Sequence, residues 1–542
     1  MALGRAVGWL RLATLRWLRR GPRRWLRRQD APVTEAAGSF DAVVVGGGPN
    51  GLICAAYLAR SGAKVALLER RHETGGGLNT DEYFGFRFNL HAIYQMMADV
   101  MPAYRDLDLE SYGLRYVRPP YGGAFLFSDG GSLLLSSDSE ASAAEIDKLS
   151  PADGACYRAM AADFQAMLDG YLIPLTYEPP TPPLEQLEMM ERDEAGQKLS
   201  YVSEMSFVDI LGEYGFSDPR VRMALLSFPA MWGLALDEPL GFLFPLYLTR
   251  MLQASIVKGG SHRLSSAIYR ALAGAGGTIR DASEVSRIVI EGGAVQGVET
   301  ANGALYKAPL VISTLNPEQT FVDLAGRENL SPELAERVDA WEWESRSLFG
   351  LHLGVTGSPS YKTADKRTED ALIAFMGIET DDQLLEHLAR VDSRDETEAA
   401  WLHVTVPTRF DPSQAPPGHS VVRIETVTSY HLPWDTISDS YATSCLDLLR
   451  RYVDLGDILI EKQCPPTYIE KRLTTMKQGS IKHGEYSPLQ LGYFRPNDLC
   501  SGVETPIDGL LVAGASVYPG GMVIGGPGYL GAKVALAHLG RA

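Results

Sequence analysis

Short apolar runs, each closed by a glycine-rich turn and followed by a helix-length segment, mark both ends of this chain. Val43 to Val45 is one such run and Val65 to Leu68 another, and between them Leu52 to Arg60 carries apolar residues at helical spacing. Runs of four or so apolar residues bounded by glycine read as strands buried on both faces, and the longer segment reads as a helix. The order predicts a β-α-β unit. Far downstream, Asp508 to Ser516 is again an apolar strand, followed by a Gly/Pro-rich turn and a last helix over Tyr529 to Leu539. The middle differs. Phe207 to Ala254 is apolar and helical, with Phe228, Met231, Trp232, Phe242, Phe244, Tyr247 and Met251, and reads first as helical core. Leu348 to Val355 and Val421 to Val427 alternate instead, predicting a sheet. Tyr171 to Lys198, rich in proline and charge, reads as a surface excursion.

The first turn carries specific chemistry. Gly46, Gly48 and Gly51 form Gly-x-Gly-x-x-Gly between strand and helix, with Pro49 and Asn50 opening the helix, and Glu69 ends the second strand 18 residues later. That is a dinucleotide-binding unit. Gly46 allows the tight turn, Gly48 lets backbone approach a pyrophosphate, and Gly51 lets helix and strand pack closely. The helix N-terminus offers free N–H groups to phosphate, and Glu69 is placed to accept hydrogen bonds from a ribose. Arg70, Arg71, Gly76 and Gly77 then continue past the acid. NAD-binding units do not need this extension, whereas it resembles the Glu-Arg-Arg-x-x-x-Gly-Gly element of flavoproteins. At the other end, Gly514 and Ala515 lead into Tyr518, Pro519, Gly520, Gly521, Met522 and Val523 before the last helix. A second helix start there would again suit an anion.

On these motifs the chain resembles the phytoene desaturase-like FAD oxidoreductases. That group includes carotenoid desaturases and isomerases, retinol saturases, carotenoid ketolases and a mitochondrial pyridine nucleotide-disulfide-like branch. The likeness runs from about residue 38 to the end. It takes in Gly85 to Asn89, Lys258 to Gly260, Gly276 to Ile279, Val285 to Ile288, Val311 to Pro317, Asp411 to His419 and Gln490 to Pro496. It implies an α/β fold: a Rossmann-type FAD-binding domain with an interleaved α+β substrate domain. The FAD domain is expected over 40–125, 256–330 and 500–542, and the substrate domain over 126–255 and 331–499. It implies FAD as cofactor, with adenine near Val285 and the flavin ring beside Gly521, Met522 and Val523. It also offers a second reading of Phe207 to Ala254, as the wall of a lipophilic tunnel. Two departures fall at the flavin: the family often has His-Pro-Gly-Gly-Gly, where this chain has Tyr518 for the histidine and Met522 for the third glycine.

Composition narrows the reading further. A chain of 542 residues with 45% hydrophobic content can bury a core in more than one lobe. The five cysteines are scattered and contain no Cys-x-x-Cys pair, which excludes a disulfide-exchange reductase and a zinc site and points to a reducing compartment. No second Gly-x-Gly-x-x-Gly unit follows a strand, so no built-in NAD(P) domain is expected; Ala273 to Gly277 reads as a helix C-cap. Residues 1–28 hold nine arginines and no acid, which leaves the rest at 41 basic against 67 acidic residues. No nucleic-acid role follows from so acidic a body. Wound as a helix, Leu3, Val7, Leu10, Trp17 and Leu18 share a face, which suits an anionic membrane surface. A mitochondrial transit peptide and a plain basic tail are the alternatives. Residues 29–39 are expected to be a linker.

Candidate catalytic side chains are His91 and Tyr518, with His483 and Glu485 as further possibilities; no metal-ligand spacing is present. The cofactor carries the hard step in flavin chemistry, so one base or none is needed. The expected function is an FAD-dependent oxidoreductase that forms or modifies C=C bonds in a hydrophobic polyene, isoprenoid or lipid-like substrate. Electrons would leave to oxygen or a quinone. The alternatives are a flavin-dependent cis–trans isomerase, a ketolase, or a flavin-binding interaction protein without turnover. The expected location is the cytoplasmic side of a membrane, as a peripheral protein, or the mitochondrial matrix or inner membrane.

Overall fold

The computed structural model describes residues 36–541, so the basic segment 1–28 lies outside the described residues. Five short strands form a parallel sheet in the order Thr278–Arg280, Val65–Leu68, Ala42–Val45, Val311–Ser313, Leu510–Val512. Four of its strands are fully buried, as their unbroken apolar runs require. The helices Pro49–Arg60 and Gly526–His538 pack on this sheet, and His262–Gly274 packs against Pro49–Arg60. Sequence-distant segments thus converge on one sheet, and the crevice beyond its carboxyl ends is where such sheets bind ligands.

Helix and strand approach closely at the glycines. A Cβ on Gly51 would lie 2.0 Å from the carbonyl oxygen of Gly46, and one on Gly528 would lie 2.3 Å from that of Asn50. Both helices that frame the crevice therefore depend on bare backbone where they meet the first turn.

Beside it, the strands Ala36–Ser39, Leu305–Lys307, Ala294–Thr300 and Val285–Glu291 make a four-stranded sheet. The expected linker over 29–39 thus ends in a strand, because residues 36–39 pair in parallel with Leu305–Lys307. A seven-stranded sheet runs Ile458–Cys464, Arg346–Thr356, His419–Ser429, Leu402–Thr405, Ala371–Met376, Tyr121–Leu126, Ser132–Leu135. Its two long central strands are antiparallel over eleven residues each. The boundary expected after residue 125 falls earlier, since Tyr121–Leu126 joins this sheet by parallel pairing with Ala371–Met376.

The middle of the chain is helical, with Phe207–Glu213, Pro219–Ala230 and Phe244–Leu252 buried. Phe164, Phe207 and Phe244 pack edge to face, with centroids 5.4 and 5.3 Å apart. The proline-rich excursion carries two helices, Pro183–Met190 and Glu194–Ser203, that leave Leu184 and Leu187 exposed, but it is anchored at one end by buried Tyr177.

Replacing Gly51 by alanine is expected to destabilise the flavin-free protein by about 1–3 kcal/mol through overpacking. Denaturant unfolding measures this, and an unchanged midpoint would contradict the close packing described.

Candidate active site

One cavity of about 500 Å3 runs from the carboxyl ends of the five-stranded sheet to the face of the seven-stranded sheet. At its first end Glu69 is buried, and its carboxylate is fixed by two backbone donors. Gly47 N–H donates to Oε2 at 2.8 Å and Arg71 N–H to Oε1 at 2.7 Å. Two bonds leave both oxygens with accepting capacity toward a ribose. Val285, with Glu284, Ser286 and Ala301, forms the wall beside it.

The next stretch is bare backbone. A Cβ placed on Gly48 or Gly77 would meet nothing within 4 Å, although both residues line the cavity. Gly48 caps the helix Pro49–Arg60 without any side-chain bond, so the first-turn N–H groups are left to a ligand. The buried Arg71 Nη1 has no partner either. Open space over glycines, an uncapped helix start and an orphaned guanidinium nitrogen together fit a pyrophosphate. Gly46, Pro49, Asn50, Arg70 and Gly76 complete this wall.

Ala515, Gly521, Met522 and Val523 line the far stretch. Arg495, fully buried, stitches this turn to the neighbouring loop: its Nη2 donates to the carbonyls of Lys482 at 2.9 Å and of His483 and Ala515 at 3.2 Å. Ser516 Oγ donates to the same His483 carbonyl at 2.9 Å. The sequence landmark at Gln490 to Pro496 thus has a positioning role, since Arg495 holds both walls of the turn.

Several expected site residues lie elsewhere. Gly51 and Gly514 are not in the cavity wall; each sits where a Cβ would strike backbone, at Gly46 and Thr314. Tyr518 points away from the cavity. Its hydroxyl donates to the Leu175 carbonyl at 2.6 Å, and the ring lines a small separate pocket with Pro179 and Pro180. The proline-rich excursion supplies that partner, so a tyrosine here is tied to the helical region rather than presented to a flavin. Glu485 is also outside the wall, its Oε1 accepting from Tyr486 N–H. His91 and His483 do line the cavity. The surrounding protein and the charges of Arg472, Arg423 and Arg71 push the His91 pKa down to about 3. Burial pushes His483 down to about 4. Both are neutral near pH 7, and neither is tuned to exchange a proton there.

Sequence reasoning missed the residues on the seven-stranded sheet. Gly350, Arg423, Glu425 and Cys464 line the cavity from adjacent strands, and Tyr94 and Trp232 close it from the side. Period-2 alternation could have placed 423 and 425 on one face, but not said which face is lined by a ligand. Of the apolar helical segment only Trp232 reaches the cavity; Phe228, Met231, Phe244, Tyr247 and Met251 are core. Among the described residues no cluster could hold a metal ion.

Comparison with known proteins identifies the lineage. Residues 50–526 match the flavin containing amine oxidoreductases. The chain belongs to that family. It is 40% identical over 526 residues to a limonene dehydrogenase subunit of Castellaniella defragrans, covering 92% of this chain and 95% of the relative. It is 24% identical to a neurosporene-forming phytoene desaturase of Cereibacter sphaeroides, over 94% and 96% of the two chains. An oxidoreductase structure from Methanosarcina mazei superposes with a TM-score of 0.58 at 19% identity, over 92% and 100%, and shows the fold alone. This is an FAD-dependent oxidoreductase with a Rossmann-type FAD domain, related to phytoene desaturases.

Two outcomes test the site. Gly48 has an ordinary φ of −69°, so Gly48→Ala should fold normally and lose FAD affinity by about tenfold or more, because the methyl enters the pyrophosphate space; titration of the flavin-free variant checks it. The second concerns acid. His91 and His403 are depressed from 6.5 to about 3, chiefly by burial. Their contribution is fully present above pH 6.5. As pH falls below that, the unfolded chain takes protons the folded chain refuses, costing up to about 1.4 kcal/mol per pH unit per histidine, until about pH 3. Melting temperature should therefore fall from pH 6.5 to 4, and His403→Gln should flatten that slope. An equal slope would contradict the buried neutral ring.

Proposed function

We propose that this enzyme oxidises a hydrophobic, isoprenoid- or lipid-like substrate at a carbon–carbon bond, forming or modifying C=C. The observation that carries the reading is the cavity itself, whose lining takes in Ile93, Trp232, Leu348, Leu473, Met476 and Ile481 beside the residues suited to FAD. Apolar walls desolvate a hydrocarbon at no polar cost. FAD supplies the hydride acceptor. The residues of the chain would then bind and orient: Glu69 the ribose, Gly48, Gly76 and Gly77 the pyrophosphate, and Ala515 with Gly521, Met522 and Val523 the ring. With His91 and His483 neutral, and Tyr518 turned away, no side chain is poised as a strong base at the turn. The names of two relatives, a limonene dehydrogenase subunit and a phytoene desaturase, support this class of reaction.

The electron acceptor in this reading is oxygen, a quinone or another diffusible carrier. The Arg-rich segment 1–28 supports a membrane-surface location, where such a substrate would dissolve. Among the described residues no helix is long and apolar enough to cross a membrane. Deleting 1–28 should abolish co-sedimentation with anionic vesicles and leave flavin loading intact; retained co-sedimentation would move the contact elsewhere.

Anaerobic mixing of the flavin-loaded protein with limonene and with longer polyenes tests the reaction. The expected result is loss of the oxidised-flavin absorption with a product two hydrogens lighter. Isomerised product with flavin left oxidised at the end would favour the cis–trans isomerase. Flavin that no donor changes would leave an interaction protein.

A further inference from the structure

The chamber is not apolar throughout. Where it meets the seven-stranded sheet, strand His419–Ser429 turns Arg423 and Glu425 to the same face, between Val422 and Ile424, which go to the core behind. Both charged side chains are buried, at 4% and 5% exposure, and both line the cavity. They are ion-paired through Arg423 Nη2 and Glu425 Oε1. The same Nη2 donates to the His91 carbonyl at 2.6 Å. The rest of the pair is unspent. Arg423 Nε and Nη1 are buried without any hydrogen-bond partner. Glu425 Oε2 takes no hydrogen bond, and His403 Nδ1 stands 3.7 Å from it. Trp232 Nε1, from the adjoining wall, is likewise unpartnered. Tyr94 presents its ring to the Arg423 guanidinium, 5.7 Å away, while its hydroxyl bonds Thr405 at 2.6 Å.

A buried ion pair is expensive to maintain unless further hydrogen bonds satisfy it. A purely hydrocarbon substrate pressed against this pair would leave those donors and that acceptor unpaired and dry, an unfavourable arrangement. An oxygen on the ligand changes that. A carboxylate would satisfy Arg423 but meet Glu425 as a like charge. An aldehyde or ketone accepts from Arg423 and offers Glu425 nothing. A hydroxyl does both: it accepts from Arg423 and donates to Glu425, and it adds no net charge to a neutral pair.

Resting on the reading of the chamber as the site for an apolar substrate, we infer that Arg423 and Glu425 form a polar anchor for one hydroxyl group. The ligand class is an alcohol with an isoprenoid- or lipid-like body, its oxygen against the seven-stranded sheet and its apolar part along the chamber toward the flavin turn. Arg423 and Glu425 set which end of the ligand enters first, and so which carbons face the flavin.

Matched ligands of one skeleton test this: myrcene, geraniol, geranial and geranate, with farnesene and farnesol as the longer pair. Binding to the full, FAD-loaded chain is read by calorimetry and by quenching of tryptophan fluorescence. Geraniol or farnesol is expected to bind at least about tenfold tighter than its hydrocarbon, with the aldehyde between and the acid weakest. Arg423→Met combined with Glu425→Leu should erase the preference while FAD absorption stays and hydrocarbon binding holds or improves. Glu425→Gln, the conservative change, should remove the repulsion and move geranate from weakest to strongest or equal with the alcohol. Equal binding of hydrocarbon and alcohol, or a preference that survives the double variant with FAD retained, overturns the anchor and leaves the apolar-substrate reading standing. If none of the six ligands binds at either length, the chamber does not take isoprenoid-like molecules, and the substrate reading falls together with the anchor. Should the double variant lose FAD, Glu425→Gln alone decides, because an unchanged rank of geranate contradicts a carboxylate at the ligand.

Discussion

The structure depends on one small interaction, the carboxylate of Glu69 receiving the N–H of Gly47 at 2.8 Å and that of Arg71 at 2.7 Å. It ties the end of one strand of the parallel sheet to the turn leaving its neighbour. The turn can close that tightly only because Gly51 lets the helix press on the Gly46 carbonyl. Everything downstream is arranged around the resulting cradle. The last helix starts against Asn50 through Gly528, and the strand ending at Val512 brings Ala515 to the same cavity. A buried carboxylate with two backbone donors is charge-assisted and well held, so its position is set before any ligand arrives.

A second constraint operates at the other end. Arg495 cannot reach water, and its guanidinium bonds carbonyls on both the loop of His483 and the turn of Ala515. Its position between the rings of Trp341 and Tyr486, at 5.2 and 4.8 Å, compensates part of the lost hydration. Where Glu69 fixes the nucleotide end by accepting bonds, Arg495 fixes the opposite end by donating them. The space between belongs to the cofactor.

How much of this was legible in the sequence follows from the range of each interaction. The glycine turn, Glu69 and the closing turn are local motifs, with donor, acceptor and spacing inside one short segment, and the chain alone shows them. The strands Val65–Leu68 and Ala42–Val45 were equally plain, because strands buried on both faces are unbroken apolar runs. Tyr518 was misread because its partner, the Leu175 carbonyl, lies 343 residues away in a segment that reads as surface. Arg423 and Glu425 were invisible for the same reason: one strand of alternating residues has two faces, and only the tertiary arrangement says which of them meets a cavity. The linker likewise hid a strand, since Ala36–Ser39 gains its pairing only from Leu305–Lys307.

In the arrangement we propose, one continuous chamber holds FAD along the glycine turns and delivers its ring to a substrate space on the seven-stranded sheet. A crystal structure of the protein purified with its flavin tests this most directly. The adenosine ribose is expected on Glu69 and the adenine beside Val285, with the flavin ring against Ala515, Gly521, Met522 and Val523 and an open face toward His91, Trp232 and Arg423. A ring lying outside this cavity, or protein filling the space between it and Arg423, would contradict it.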